Sequence, residues 1–324
     1  MFDIITFGSA TSDIFLRMKK GGYQIVPQNV LCFPLGAKII LDETLVASGG
    51  GGTNTACVFA LQGLKTAYCG KVGNDKQGLA VLDDLKKNKV KTNFCLTDKN
   101  RATALSVILS VVGDERTVLI QRGACHFMGE ADIPWKKIKK AKWFYIAPLI
   151  GESAAIFEKL VTFAKVNGIK VAVNPGDTQL KMAPEKLLPI LKQVDILFLN
   201  MEEATLLANT APGDERSVLL AVRKMTNGLA VITKGKEGSL ALDGENLYEA
   251  SIMPSKVVEK TGAGDAFCSG FLSGLLQKNN IEYAMQMGTA NAMSCIQQVG
   301  AKNGLLRKGE QIGEVVVAKF KIFL

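Results

Sequence analysis

The sequence predicts an α/β protein. Its core is a doubly wound, mostly parallel sheet with helices on both faces, and a small antiparallel β lid is attached. Three observations predict this. Short apolar runs alternate with amphipathic segments over most of the 324 residues. Strands of a parallel sheet are buried on both faces and read as apolar runs, and their crossovers supply helices. Two stretches break the rhythm with a strand-like period and no helix between. The composition, 48% hydrophobic and 21% charged, fits a globular chain and not a disordered one.

Taken in order, "DIITFGSA" predicts a first strand running into a loop of small residues. Asp3 and the lack of a basic opening segment fit a buried strand, not a secretory signal. "TNTACVFALQGL" has helical spacing, with Ala56, Phe59, Ala60 and Gly63 on one face. "TAYCGKVG" is a strand and "GLAVLDDLKKNK" a helix. The later segments are plainer: strands "WFYIAPL", "KVAVNPG", "DILFLN" and "LAVITKG" alternate with helices "SAAIFEKLVTFAKVNG", "PEKLLPILKQV" and "VLLAVRKMTNG". Gly168 and Gly228 are the stop signals of two of those helices. "IFLRMKK" with "AKIILDETLVA", and "ATALSVILSVVGDERTVLIQR", are the exceptions. "VGDER" (Val112 to Arg116) predicts a hairpin turn. The expected division is a core of residues 1–12, 49–97 and 123–324, and a lid of 13–48 and 98–122.

Bulk properties narrow the function. No apolar run reaches the roughly 18–20 residues of a membrane span. Seven cysteines, an odd number without C-x-x-C spacing, fit a reducing, cytoplasmic setting. One histidine, His126, leaves little material for a His-rich metal site or a Ser-His-Asp triad. The net charge of +9 suits anionic ligands such as nucleotides. The densest basic cluster, "WKKIKKAKW", reads as a solvated helix face. No RNA-recognition or zinc-finger pattern accompanies it, so neither nucleic acid nor membrane is an expected partner.

Two loops carry candidate chemistry. In "KTGAGDAFCSGFLSGLL", Gly262, Ala263 and Gly264 open a helix whose free N–H groups and dipole favour an anion. Asp265 is odd there unless it handles a proton or orients a hydroxyl. The same residues also suit a plain turn with a capping aspartate. In "ASGGGGTNTACVFALQGL", four glycines lead to Thr53 and Asn54. They suit a floor for a polyhydroxylated substrate, or a hinge with a cap. No G-x-x-x-x-G-K-[ST] occurs, and no G-x-G-x-x-G follows the first strand, which disfavours a P-loop NTPase and a dinucleotide oxidoreductase.

These loops resemble the two signatures of the ribokinase-like (PfkB) carbohydrate kinase family. "NMEEA" (Asn200 to Ala204) is similar to its N-x-x-E motif, "ITKGKEGS" to its nucleotide-side loop, and "GSATSDIF" to its substrate loop. The matches run in family order across nearly the whole chain. The resemblance implies a three-layer α/β/α core with a β lid, and transfer of the γ-phosphoryl group of ATP, with Mg²⁺, to a substrate hydroxyl. It implies Asp265 as the base and the backbone of Gly262, Ala263 and Gly264 as an anion hole. Asp13, Gly50, Gly51 and Asn54 would lie at the substrate. Asn200 and Glu203 would act near the phosphates, Glu203 on Mg²⁺ through water, with a first-turn acid favoured by the helix dipole as the lesser reading of Glu203. Thr233, Gly235 and Asn291 would line the nucleotide site. The helix terminus would keep Asp265 ionised at neutral pH. Homodimers through the lid occur in the family, as do monomers.

Departures from the family pattern matter. Its aspartate and threonine before Thr261 are Glu259 and Lys260 here, which leaves potassium activation uncertain. Gly51 stands where ribokinases carry lysine, and the glutamate they carry after "WFYIAPL" is not evident, which weakens ribose specificity. A sugar or sugar-like acceptor leads. A nucleoside is the alternative, with "IFLRM" available to stack on a base. A sugar phosphate stays open through Arg101, Arg116 and Arg122. A catalytically silent binding module is disfavoured by Asp265 and the N-x-x-E motif.

Overall fold

Adjacent residues of the central strands face opposite helical layers, and that alternation builds the molecule. The computed structural model describes residues 1–19, 21–27, 30–111, 116–210, 213–252 and 255–321. The first part of the chain forms β1 (Ile4–Phe7), β2 (Thr11–Met18), β3 (Gln24–Val26), β4 (Val30–Cys32), β5 (Leu41–Gly49), α1 (Gly51–Leu61), β6 (Thr66–Gly73), α2 (Lys76–Lys87) and β7 (Lys91–Asp98). Then come β8 (Ala104–Ser110), β9 (Arg116–Gln121), α3 (Trp135–Ile138), β10 (Trp143–Ile146), α4 (Phe157–Val166), β11 (Lys170–Val173), α5 (Asp177–Leu180) and α6 (Pro184–Leu191). The last part forms β12 (Ile196–Asn200), α7 (Met201–Ala208), α8 (Glu215–Met225), β13 (Leu229–Thr233), β14 (Ser239–Leu242), β15 (Asn246–Ala250), α9 (Ala263–Lys278), α10 (Ile281–Cys295) and β16 (Val317–Lys321).

The main sheet runs β16-β15-β14-β13-β12-β11-β10-β1-β6-β7. From β7 to β13 every pairing is parallel, and β14 to β16 add an antiparallel edge. Ile5, Phe7, Phe144 and Ile146 pack in one core with Leu160 of α4, Leu187 of α6 and Val222 of α8. Ile4, Tyr145 and Phe198 pack in a second with Phe59 of α1, Phe271 of α9 and Met285 of α10. The Phe198 and Phe271 rings meet edge to face, 5.6 Å between centroids. The fold is therefore the expected three-layer α/β/α sandwich. Between β1 and β10 the strand order reverses direction, and such a switch point leaves a crevice at the strands' carboxyl ends. Among the described residues no helix is long and apolar enough to cross a membrane.

The second sheet runs β5-β2-β8-β9, so the two strand-like stretches do meet. Its outer pairs are antiparallel, but β2 and β8 run parallel, a refinement of the antiparallel sheet expected. Chain routing explains it. β2 follows β1 and β8 follows β7, so both leave the same carboxyl edge of the core sheet and travel the same way. A short β3–β4 hairpin extends this region. Of the "VGDER" turn, residues 112–115 lie outside the described residues. The glycine run also differs from expectation: α1 begins at Gly51, so two of the four glycines are helical, and Gly63 lies beyond its end with φ +84°. The "WKKIKKAKW" segment is short helix α3 with Lys136, Lys137, Lys139 and Lys140 exposed to solvent.

Candidate active site

Two helix N-termini, those of α1 and α9, converge at the crevice, and neither has a side-chain cap. Gly50 precedes α1 and Gly262 precedes α9. Asn54, in the first turn of α1, donates from Nδ2 to Oδ2 of Asp265, in the first turn of α9, at 2.8 Å. The two residues are 211 positions apart in sequence. The carbonyl oxygen of the Asn54 amide is buried without a partner. A buried acceptor with no donor is costly, so this atom is poised to take a donor from a ligand.

The glycines have separable reasons. Gly262 holds φ +84°, and a Cβ there would overlap Ala301. Gly264 has nothing within 4 Å of a would-be Cβ, so it leaves the face of the terminus open. In the other loop, a Cβ on Gly51 would lie 3.3 Å from Oδ1 of Asp265. A Cβ on Gly49 would overlap the carboxylate of Asp13. Gly49 therefore makes the space that Asp13 occupies, although only its neighbours stood out as site residues. Ser9, at the end of the first loop, accepts from the Gly51 N–H at 3.1 Å through Oγ and from the Gly52 N–H at 3.1 Å through its carbonyl.

Asp13 descends from the second sheet on β2, opposite Ala47 and Ser106. It is 5% exposed, and Oδ1 accepts from Oγ1 of Thr11 at 2.8 Å. Burial pushes its carboxyl above the usual aspartate range, opposed by hydrogen bonds from Thr11 and Ser106 and by the charge of Lys302. Asp265 behaves alike. Burial raises its carboxyl, the Asn54 hydrogen bond and Lys302 act against that, and the Asp13 charge adds to it. The helix terminus was expected to keep Asp265 ionised at neutral pH, and burial works against that. Lys302, which no sequence motif pointed to, has a side chain only 8% exposed. Its Nζ donates to Ser48 Oγ at 2.7 Å and to Asp84 Oδ2 at 3.2 Å, and Ser48 in turn donates to Asp84. The positive charge of Lys302 acts on the carboxylates of buried Asp13 and half-buried Asp265.

On the far side of α9 lies a cavity of about 580 Å³ lined by Thr233, Gly235, Lys260, Ala263 and Gly264. Its other walls are largely apolar, with Ile252, Val257, Phe267, Met293 and Ile296. Thr233 and Gly235 also border a second cavity, of about 630 Å³, that includes Asn200. Asn200 and Glu203 form a reciprocal capping box on α7, each backbone N–H donating to the other's side chain at 2.8 Å. Burial raises the Glu203 carboxyl, the hydrogen bond from Asn200 opposes this, and the charges of Asp177 and Glu202 raise it further. Asn291 corrects an expectation. It is fully buried; its Nδ2 donates to the Ala266 carbonyl at 2.7 Å and its Oδ1 accepts from the Leu306 N–H at 2.9 Å. Bonded at each end of its amide, it braces α9 and is not among the residues that line the cavity.

The family model described as pfkB family carbohydrate kinase matches residues 36–308. The chain belongs to that family. It is a phosphotransferase acting on an alcohol group of a sugar or nucleoside. A ribokinase from Lactococcus lactis subsp. lactis is 27% identical over 96% of this chain and 96% of its own length. A cytidine kinase from Thermococcus kodakarensis is 26% identical over 84% of this chain and 94% of its own length. Among solved structures, Arabidopsis thaliana ribokinase complexed with ribose and ATP superposes with a TM-score of 0.78 at 23% identity, covering 94% of this chain and 95% of that one. At that identity the likeness carries the fold alone.

Proposed function

We propose that this kinase uses ATP to phosphorylate a hydroxyl of an unphosphorylated sugar or sugar-like molecule, with Asp265 as the base. The observation that carries the proposal is the Asn54–Asp265 hydrogen bond across two uncapped helix N-termini. Asp265 takes the proton of the acceptor hydroxyl as its oxygen attacks the γ-phosphorus and the bond to the ADP oxygen breaks. Asn54 orients Asp265, and its free carbonyl oxygen accepts from a second substrate hydroxyl. Asp13 accepts hydroxyl protons in charge-assisted bonds. Gly50 and Gly51 let the acceptor lie close to backbone. The N–H groups around Gly262, Ala263 and Gly264 face the transferred phosphoryl, where preorganised donors act on developing charge.

The apolar cavity beside Thr233 and Gly235 suits the flat base of the nucleotide. Around Glu203, crowded negative charge fits a divalent cation held through water. Mg²⁺, when bound, would screen the phosphate charges. The four-stranded sheet, residues 13–48 and 98–122, acts as a lid that excludes water as a competing acceptor. Exposed Val46 and Leu119 share its outward row, which supports lid-to-lid pairing in a homodimer.

Two of the three lid arginines are engaged within the protein, which supports an acceptor without a phosphate, while the third, Arg122, is exposed. Arg101 lies 3.6 Å from Asp98 and 4.1 Å above the Phe127 ring, and Arg116 lies 3.7 Å from Glu259. Of the "IFLRM" stretch, Phe15 and Met18 are buried, and Ile14 and Leu16 are half-buried. A screen of ATP consumption over pentoses, hexoses, sugar phosphates and nucleosides tests this. Turnover concentrated on unphosphorylated sugars supports the proposal. A clear preference for a sugar phosphate, or consumption with none of them, would overturn it.

A further inference from the structure

Glu259 touches two parts of the molecule that must act together. It is 8% exposed and lies just ahead of the glycine turn. Its backbone N–H donates to the Ile296 carbonyl at 3.1 Å, which fixes the segment to the end of α10. Oε1 accepts from the Thr261 N–H at 3.0 Å and from Thr261 Oγ1 at 2.8 Å. The same carboxylate meets the second sheet. Ser110 Oγ donates to Oε2 at 3.4 Å, and Nε of Arg116 lies 3.7 Å from Oε1. Ser110 and Arg116 are register partners at the end of the β8–β9 hairpin where the two strands are joined.

A buried carboxylate requires donors and a countercharge. Here the loop supplies two donors, while the hairpin supplies a hydroxyl and the cation. If the hairpin lifts, Glu259 loses its countercharge and is drawn toward water. Thr261 moves with it, and Thr261 adjoins the left-handed Gly262 that starts α9. We propose that Glu259 is a positioning residue that couples seating of the lid to the shape of the anion-binding terminus of α9. Glutamate has the reach for this task, whereas an aspartate one methylene shorter would hold Thr261 but fall short of the hairpin. The coupling rests on the assignment of that terminus as the phosphoryl site.

The test combines hydrogen exchange with kinetics on Arg116→Gln, Glu259→Gln and the double variant. Arg116 is on the surface, so its replacement leaves the fold intact. In the free protein, Arg116→Gln should speed exchange at the Thr261 amide several-fold, although Arg116 does not touch that amide. In turnover, each single variant should lower kcat by roughly ten- to a hundredfold, the scale of a small misplacement of catalytic groups, with ATP affinity held. The double variant should be no slower than Glu259→Gln alone. Unchanged exchange at Thr261 in Arg116→Gln, or multiplicative losses in the double variant, would overturn the coupling. If exchange responds as expected while Asp265→Asn keeps full turnover, the coupling stands and the assignment of the phosphoryl site fails.

Discussion

α7 and α9 both offer an N-terminus near the nucleotide-side cavities, yet they finish it in opposite ways. α7 closes on itself: Asn200 and Glu203 exchange two hydrogen bonds of 2.8 Å, and two orphan donors are satisfied internally. α9 begins at a glycine with φ +84°, has no side-chain cap, and opens past Gly264. Its first-turn acid, Asp265, reaches across to Asn54 instead of capping its own helix. α2, α8 and α10 follow the first pattern through Asp75, Asp214 and Asn280, while α1 follows the second through Gly50. A missing side-chain cap is not special by itself, since α3, α4, α5 and α6 lack one too. What sets α1 and α9 apart among the described helices is a start from a glycine at positive φ.

The largest break in this contrast should come from Asp265→Asn. It preserves shape and the link to Asn54 but removes the proton acceptor, and kcat should fall about 10²–10⁴-fold. Its effect on stability should have the opposite sign. Burial raises the Asp265 pKa above its unfolded value. Such a group contributes stability in full below the unfolded pKa and loses it as pH rises through the folded pKa. At neutral pH its charge is a cost, so the variant should melt at the same temperature or higher.

Next in size is Asp13→Ala. Each hydrogen bond to a charged group is worth about 1.5–3 kcal/mol, so the acceptor KM should rise roughly ten- to a hundredfold, with the KM for ATP near wild type. Equal rises in both would mark Asp13 as structural. The two glycines of the turn sharpen the comparison further. Gly264→Ala adds a methyl group where nothing lies within 4 Å, so melting should hold or improve by up to about 1 kcal/mol while turnover drops several-fold. Gly262→Ala should instead lose stability, because it meets Ala301 and holds positive φ. If both variants lose only stability, α9 is an ordinary helix start. The smallest effect should be that of potassium. Glu259 is committed to Thr261 and lies beside Arg116, and Lys260 brings a fixed charge. Rates in potassium and choline should therefore be similar, and strong stimulation by potassium would show a cation site in that loop.

Much of the core was legible in the sequence because apolar strands and amphipathic helices announce themselves locally. What escaped depends on distant parts of the chain. Glycine is a poor helix former, yet Gly51 and Gly52 start α1, and a Cβ on Gly52 would press on Gly8 and Tyr68. The parallel pairing of β2 with β8 follows from where two strands leave the core, which no local pattern records. Asp13, Asn54 and Asp265 were visible as chemistry, but the Asn54–Asp265 hydrogen bond and the raised pKa values of the two aspartates are tertiary properties. Lys302 had no motif to announce it, and Asn291 fits its expected position while its amide faces backbone on both sides.

The central claim, that Asp265 is a base at an unfinished helix terminus, is tested most directly by the pH dependence of kcat in the wild type and in Asp265→Asn. The wild type should lose turnover on acidification through a midpoint above the ordinary aspartate value of about 3.9, because a buried carboxyl protonates early. In Asp265→Asn that acidic limb should vanish along with most of the rate. A limb that persists unchanged in the variant, with turnover near wild type, would contradict the claim and leave Asp265 as no more than a link between two helices.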